Sequence, residues 1–368
     1  MVEIRQFNGR ALKEFIHSVE YDRLTDVPIT RHRAISQLNN PAMDKEDVLL
    51  LIAYSEGQLM GYVGILPDKI YRNQDSELKF GWLTALWVSP DGRGQGIGLQ
   101  LMNKALEFWN DRILSADYVT FTKKLYDKTG KFHPEPMIKN GIRWYVRADL
   151  SEILSVKRGI FRKTKGLLTL IDRTANVLID LRLRLSKRPT SSYIYEYVTS
   201  ADDEAMQFIF ECNKKELYRR DGADINWILQ YPWVLSRDCK NEEDNKYYFS
   251  SSSKKFEFKL VKIKDHHGAL IALLLFSLRN GSLKLPYYWH IDHLKEVAFA
   301  VKYHILKWKV NTFTSYEDLL YDALTKENIP AVLSRNIHRN YMVSKVLSEA
   351  FLLKPDNIRD GDGDCVFT

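Results

Sequence analysis

Residues 80–109 read FGWLTALWVSPDGRGQGIGLQLMNKALEFW, and the order of residue types in this stretch decides the fold. Over 82–88 the chain is almost continuously apolar and stops at Ser89-Pro90, which predicts a central strand covered on both faces. The glycines that follow permit positive φ and let backbone approach a ligand where a side chain would obstruct it. Leu101, Met102, Ala105, Phe108 and Trp109 then share one face of a 3.6-residue period, so a helix is expected from about Gly98. A loop at a helix N-terminus has unpaired N–H groups and the positive end of the dipole, and both favour an anion such as a diphosphate.

Two common phosphate loops do not fit. The dinucleotide fingerprint fails because Leu99 stands where the third glycine belongs, and the Lys-Ser/Thr pair of a P-loop is absent. Arg93-x-x-Gly96-x-Gly98 after a strand ending Val88-x-Pro90 instead resembles the pyrophosphate loop of the GNAT superfamily, the acyl-CoA-dependent N-acyltransferases. The resemblance implies acetyl-CoA as co-substrate. Its contacts would be Leu86, Trp87 and Val88 on the strand and Arg93, Gly94, Gln95, Gly96, Ile97 and Gly98 on the loop. The same resemblance implies that the central strand splays from its neighbour to pair with the pantetheine arm. It further implies that a backbone N–H near Trp87 or Val88 polarises the thioester carbonyl.

Composition bounds the alternatives. The 368 residues are long enough for two cores. Cys212, Cys239 and Cys365 are far apart and form no C-x-x-C pair, so neither a disulfide framework nor a zinc site is expected, and a reducing cytoplasm is the default. No histidine spacing matches a metal-ligand set, and no metal is expected. The first residues lack an apolar leader core, and no apolar run is long enough to span a membrane. The net charge of +7 is concentrated: residues 156–188 hold ten basic and two acidic residues, which leaves the remainder near −1. That distribution argues against nucleic acid as a partner.

Before the loop, a strand over 2–7, a helix capped by Asn8, a helix over 31–38 and a hairpin of 48–54 with 59–66 lead into the central strand. In the family arrangement 21–38 covers the acceptor side. After the loop, a strand is expected over 117–122 and another over 142–148. Between them, Leu125-Tyr126-x-Lys128-x-Gly130 resembles the family segment whose tyrosine faces the acyl-CoA sulfur, so Tyr126 is the candidate general acid for the departing thiolate. Lys131 intervenes before Phe132, a departure from the family form. The central strand offers no carboxylate as base, and Glu77 at its outer start is the candidate that remains.

Leucines at helical spacing make 155–186 a basic amphipathic helix. It is read first as a connector packing its leucines on the domains, and second as a peripheral contact with an anionic membrane. From Tyr193 the pattern restarts: a strand over 193–198, a helix over 201–219, a three-strand meander over 256–290 and a helix over 294–309. Thr312-Phe313-Thr314 before Leu320-Tyr321-Asp322 echoes Thr120-Phe121-Thr122 before Leu125-Tyr126-Asp127. No glycine loop occurs between 291 and 294. The expected fold is therefore α/β, with mixed and largely antiparallel sheets flanked by helices, as two GNAT-like domains in tandem. These are a catalytic domain over 1–150, a connector over 151–190 and a degenerate copy over 191–368. The expected reaction is direct transfer of an acyl group, acetyl first among them, from CoA to a small-molecule primary amine. The alternatives are an acyl-CoA sensor without turnover, or an aminoacyl-tRNA-dependent transferase of the paired type. A homodimer is compatible with the degenerate half.

Overall fold

The computed structural model describes residues 2–71, 76–149, 165–185, 193–214, 216–351 and 353–367. Two compact units result. The first comprises Met1–Lys139, Thr199–Glu257 and Arg339–Thr368; the second comprises Asn140–Val198 and Phe258–His338. Neither unit is continuous in sequence, so they cut across the expected stretches 1–150 and 191–368.

In the first unit, β1 (Val2–Asn8), β2 (Val48–Ser55), β3 (Gln58–Tyr71) and β4 (Glu77–Val88) form an antiparallel meander. Asn8 caps α1 (Gly9–Phe15) as expected, its side chain accepting from the Ala11 amide at 3.0 Å. β2 is apolar and buried from Val48 to Ala53 because both faces are covered. Leu51 and Ala53 meet α4 (Ile97–Phe108) through Leu101, Met102 and Ala105. Leu50, Ile52 and Tyr54 meet Leu12, Phe15 and Ala34, the last from α3 (Arg31–Leu38); the short α2 (Val19–Asp22) lies between α1 and α3 in sequence.

β5 occupies Ile113–Ala116, and Thr120–Thr129 is α5, which corrects the strand expected over 117–122. Asp117, with φ of 50°, turns the chain out of the strand, and the strand-favouring residues 120–122 open a helix behind Val119 instead. β5 runs parallel to β4 and is flanked on its other side by residues 341–343.

Buried polar contacts explain why distant segments complete this unit. The Arg220 guanidinium spans Asp68 at 2.6 and 2.7 Å and Asp362 at 2.9 and 3.1 Å, while the Trp82 indole N–H donates to Asp68 at 2.8 Å. The indole N–H groups of Trp227 and Trp233 donate to the backbone oxygen and hydroxyl of Ser36 at 2.7 and 2.9 Å, and Phe367 stacks on Trp233. Tyr218, Trp227 and Trp233 are buried, so the aromatic segment around them is a cap on the core. The helix expected over 201–219 ends at Asn213, and a separate helix, Gly222–Gln230, follows, opened by an Asp221–Asp224 capping box.

The second unit repeats the plan. Strands Ile194–Val198, Phe256–Lys264, Leu270–Arg279 and Ser282–His290 lie side by side, and the last is parallel to Thr312–Ser315 over three rungs. Helix Leu294–Lys307 joins those parallel strands, as α4 joins β4 to β5, and buries Val297, Ala298, Val301 and Ile305. Asn280 and Gly281 both take positive φ in the hairpin turn. The link from His290 to Leu294 is three residues long and contains no glycine.

α6 (Lys165–Leu185) belongs to the second unit. The remainder of the helix expected over 155–186, and the basic residues at 157, 158, 162, 163, 187 and 188, lie outside the described residues. The Asn176 amide exchanges two hydrogen bonds with the Ala148 backbone at 2.8 and 2.9 Å, Asp180 pairs with Arg147, and Leu183 packs on the core. Most of the leucines face away, contrary to the connector reading: Leu167, Leu170, Leu178 and Leu181 are exposed.

Candidate active site

β4 carries two irregularities where its sequence reaches the loop. Between Thr84 and Trp87 it has one residue more than β3 has between Gly64 and Tyr62, and Ala85 in this bulge takes φ of 52°. Ala85 and Leu86 therefore have no partner rung on β3. Trp87 then packs toward α3, and Leu86 and Val88 toward α4. On its other side β4 pairs with β5 only at 81–83, so residues 84–88 diverge from β5 and leave an opening between two parallel strands.

The loop begins where that opening ends. The Ser89 amide donates to the Met60 carbonyl at 2.9 Å, and the Ser89 hydroxyl accepts from the Gly92 amide at 3.0 Å, which fixes the first turn. Gly94 and Gly96 take φ of 83° and 76°, and a Cβ at Gly94 would meet nothing within 4 Å. They are needed for backbone conformation, and they leave space outside the loop. The N–H groups of Gly94, Gly96, Ile97 and Gly98 have no hydrogen-bond partner among the described residues. Four such donors stand at the N-terminus of a twelve-residue helix beside the exposed cation of Arg93, a cradle whose chemistry suits an anion. Gly98 serves packing: a Cβ there would lie 3.1 Å from Leu125, which brings α4 close to the helix that carries Tyr126.

Tyr126 is 2 % exposed, and its hydroxyl donates to Ser115 Oγ at 2.7 Å. Ser115 is the last residue of β5 with a rung on β4, so the phenol stands at the mouth of the opening. Phe132 and Tyr118 pack edge-on against the ring, which shows that the inserted Lys131 does not displace Phe132. Burial drives the phenol pKa well up, and the negative fields of Tyr118 and Asp364 add to it.

Glu77 is elsewhere. It begins β4, pairs with Tyr71 and holds Lys69 at 2.9 Å. At about 3.3 Å per residue it lies some 30 Å along the strand from Trp87. The structure does not bring it to the loop, which corrects its candidacy as base.

The face of β4 opposite α4 presents a carboxylate that sequence reasoning missed. Gly363, with φ of 69°, lies against the Trp82 ring, where a Cβ would approach within 2.7 Å. This close passage seats the short helix Gly363–Phe367 on β3, β4 and β5. Asp364 is partly exposed there. Burial raises its pKa, and the fields of Arg33 and Arg339 oppose that rise. Its charge is felt at both Tyr126 and Tyr247. Arg33 stacks on Trp233 at 3.8 Å and donates to the Tyr247 hydroxyl at 2.8 Å and to Thr84 at 3.0 Å. Beside it Trp87 stacks on Tyr62 at 5.3 Å and meets Tyr248. The Tyr62 hydroxyl and both polar atoms of the Gln37 amide are buried with no hydrogen-bond partner among the described residues. Glycine before aspartate near a chain's last residues was the one sequence signal, and it is a weak one.

Residues 14–130 match the model of the acetyltransferase (GNAT) family. An uncharacterized N-acetyltransferase of Archaeoglobus fulgidus is 29 % identical over 113 residues, which are 30 % of this chain and 76 % of that protein. Among solved structures, a GCN5-related N-acetyltransferase from Anabaena variabilis gives a TM-score of 0.48 at 13 % identity, covering 93 % of this chain and 72 % of that one. The N-myristoyltransferase of Saccharomyces cerevisiae with bound myristoyl-CoA gives 0.48 at 11 %, covering 93 % and 82 %. A tandem GNAT protein from the clavulanic acid biosynthesis pathway gives 0.47 at 11 %, covering 94 % and 98 %.

Proposed function

We propose, from the match of residues 14–130 to the acetyltransferase (GNAT) family, that this protein transfers an acyl group, acetyl first, from CoA to a primary amine in a ternary complex. The observation that supports this most is the set of four unpaired loop N–H groups at the end of an opening between β4 and β5. The cradle would hold the pyrophosphate, and Leu86, Trp87 and Val88 would pair with the pantetheine arm. The bulge frees backbone N–H groups near Trp87 for the carbonyl oxygen, whose negative charge grows as the amine attacks.

Tyr126 is the proposed acid. As the tetrahedral intermediate collapses, the C–S bond breaks and its electron pair leaves as thiolate, which takes the phenol proton. Ser115, already hydrogen-bonded to that phenol, supports the hydroxyl while the proton moves. Asp364 is the proposed proton acceptor for the amine, since it lies on the opposite face of β4, the side from which an acceptor bound among Arg33, Tyr62 and Trp87 would approach. The unpaired Gln37 and Tyr62 groups favour an acceptor with polar substituents near its amine. The second unit, which lacks the glycine loop, would not bind CoA in this way.

Calorimetric titration with acetyl-CoA, on the wild type and on Gly96→Trp, tests the reading. One site per chain, abolished by the variant, is the expected result, followed by thiol release with a suitable amine. Absence of binding in the wild type overturns the proposal. Binding without thiol release across an amine panel would point instead to an acyl-CoA sensor.

A further inference from the structure

α6 turns the apolar side of an amphipathic helix away from its own unit. Leu167, Leu170, Ile171, Leu178 and Leu181 fall at offsets 0, 3, 4, 11 and 14, within one stripe at 100° per residue, and Val177 borders it. These six side chains are between 43 % and 69 % exposed. The opposite side, with Leu168, Asp172, Asn176, Asp180 and Leu183, is the one buried or bonded to the unit. An isolated exposed leucine needs no explanation, but five aliphatic side chains on one stripe of a 21-residue helix, interrupted only by Thr174, do.

Charge identifies the occupant. Arg173 and Arg182 are exposed at the two edges of the stripe, where long cationic side chains can extend toward anions while their stems lie along apolar surface. The sequence from 156 to 188 carries a net +8. A second copy would bring its own Arg173 and Arg182 to this face, and like charges oppose that pairing. An anionic lipid surface offers acyl chains for the leucines and phosphates for the arginines. No helix among the described residues is long and apolar enough to cross a membrane, so α6 would lie in the interface and not span it. We propose that the exposed face of α6 docks this protein on an anionic lipid surface.

Co-sedimentation of the full chain with vesicles decides it, using phosphatidylcholine alone and equal parts phosphatidylcholine and phosphatidylglycerol. The expected result is binding to the mixed vesicles only, weakened by added salt and reduced at least ~10-fold in Leu170→Glu/Leu178→Glu. Both positions are exposed, so circular dichroism and the melting temperature should match the wild type and separate lost docking from lost folding. Four results overturn the proposal: no vesicle binding, equal binding to neutral vesicles, binding unaffected by the double variant, or a dimer in sedimentation equilibrium that the double variant dissociates.

Discussion

Tyr126 combines full burial with a hydroxyl whose partner is another hydroxyl, and this makes the acid role testable apart from packing. Tyr126→Phe keeps the ring contacts with Phe132 and Tyr118 and loses only the bond to Ser115, at a stability cost of about 1 kcal/mol. If the phenol protonates the thiolate, turnover in a thiol-release assay should fall ~10²- to 10⁴-fold while acetyl-CoA affinity stays unchanged. Equal turnover in both proteins would remove Tyr126 from the mechanism. Asp364 gives a pH signature. A carboxylate accepts a proton only when ionised, so the rate should rise with pH through its raised pKa. In Asp364→Asn that acidic limb should vanish along with most of the rate. An unchanged pH profile in the variant would assign the base elsewhere.

The elements show where reading along the chain succeeds and where it fails. Local rules place the strand, the loop and α4, because an apolar run, glycines at positive φ and a helical period are all written within 30 residues. The same rules misplace β5, since threonine, valine and phenylalanine at 119–122 favour a strand until Asp117 turns the chain away from it. They cannot reveal the Asp68–Arg220–Asp362 cluster, whose members are 152 and 142 residues apart, nor Asp364, which matters only because Gly363 passes under Trp82. That cluster also predicts its own fragility. Arg220→Leu leaves two buried carboxylates facing each other and should cost about 3 to 5 kcal/mol in urea unfolding. A loss under 1 kcal/mol would mean that water reaches the cluster.

At the scale of the whole molecule, the second unit has its own acid weakness. The His304 Nδ1–H donates to the Ala300 carbonyl at 2.7 Å, so Nε2 accepts from the Tyr197 hydroxyl at 2.8 Å, an arrangement that requires a neutral ring. Burial, helped by Lys307 and Lys259, lowers its pKa from 6.5 to about 4. Below pH 6.5 the unfolded chain takes up a proton that the folded ring refuses. Stability is therefore lost as pH falls from 6.5 toward 4, by about 3 kcal/mol in all. Urea unfolding followed at both pH values should show this loss in the wild type and a flatter response in His304→Gln.

The interleaving of the two units bears on how the protein is made. Residues up to 139 leave the ribosome before Arg220, Trp227, Trp233 and Asp362, so Asp68 lacks its guanidinium partner, Ser36 lacks its indole partners and the floor beneath Trp82 is missing. At ~5 to 20 residues per second, the 199 residues from Asn140 to His338 take roughly 10 to 40 s to synthesise. Throughout that interval an incomplete sheet must be kept from aggregating. The order of translation thus leaves the earliest segment of the first unit waiting for the latest before it can finish folding.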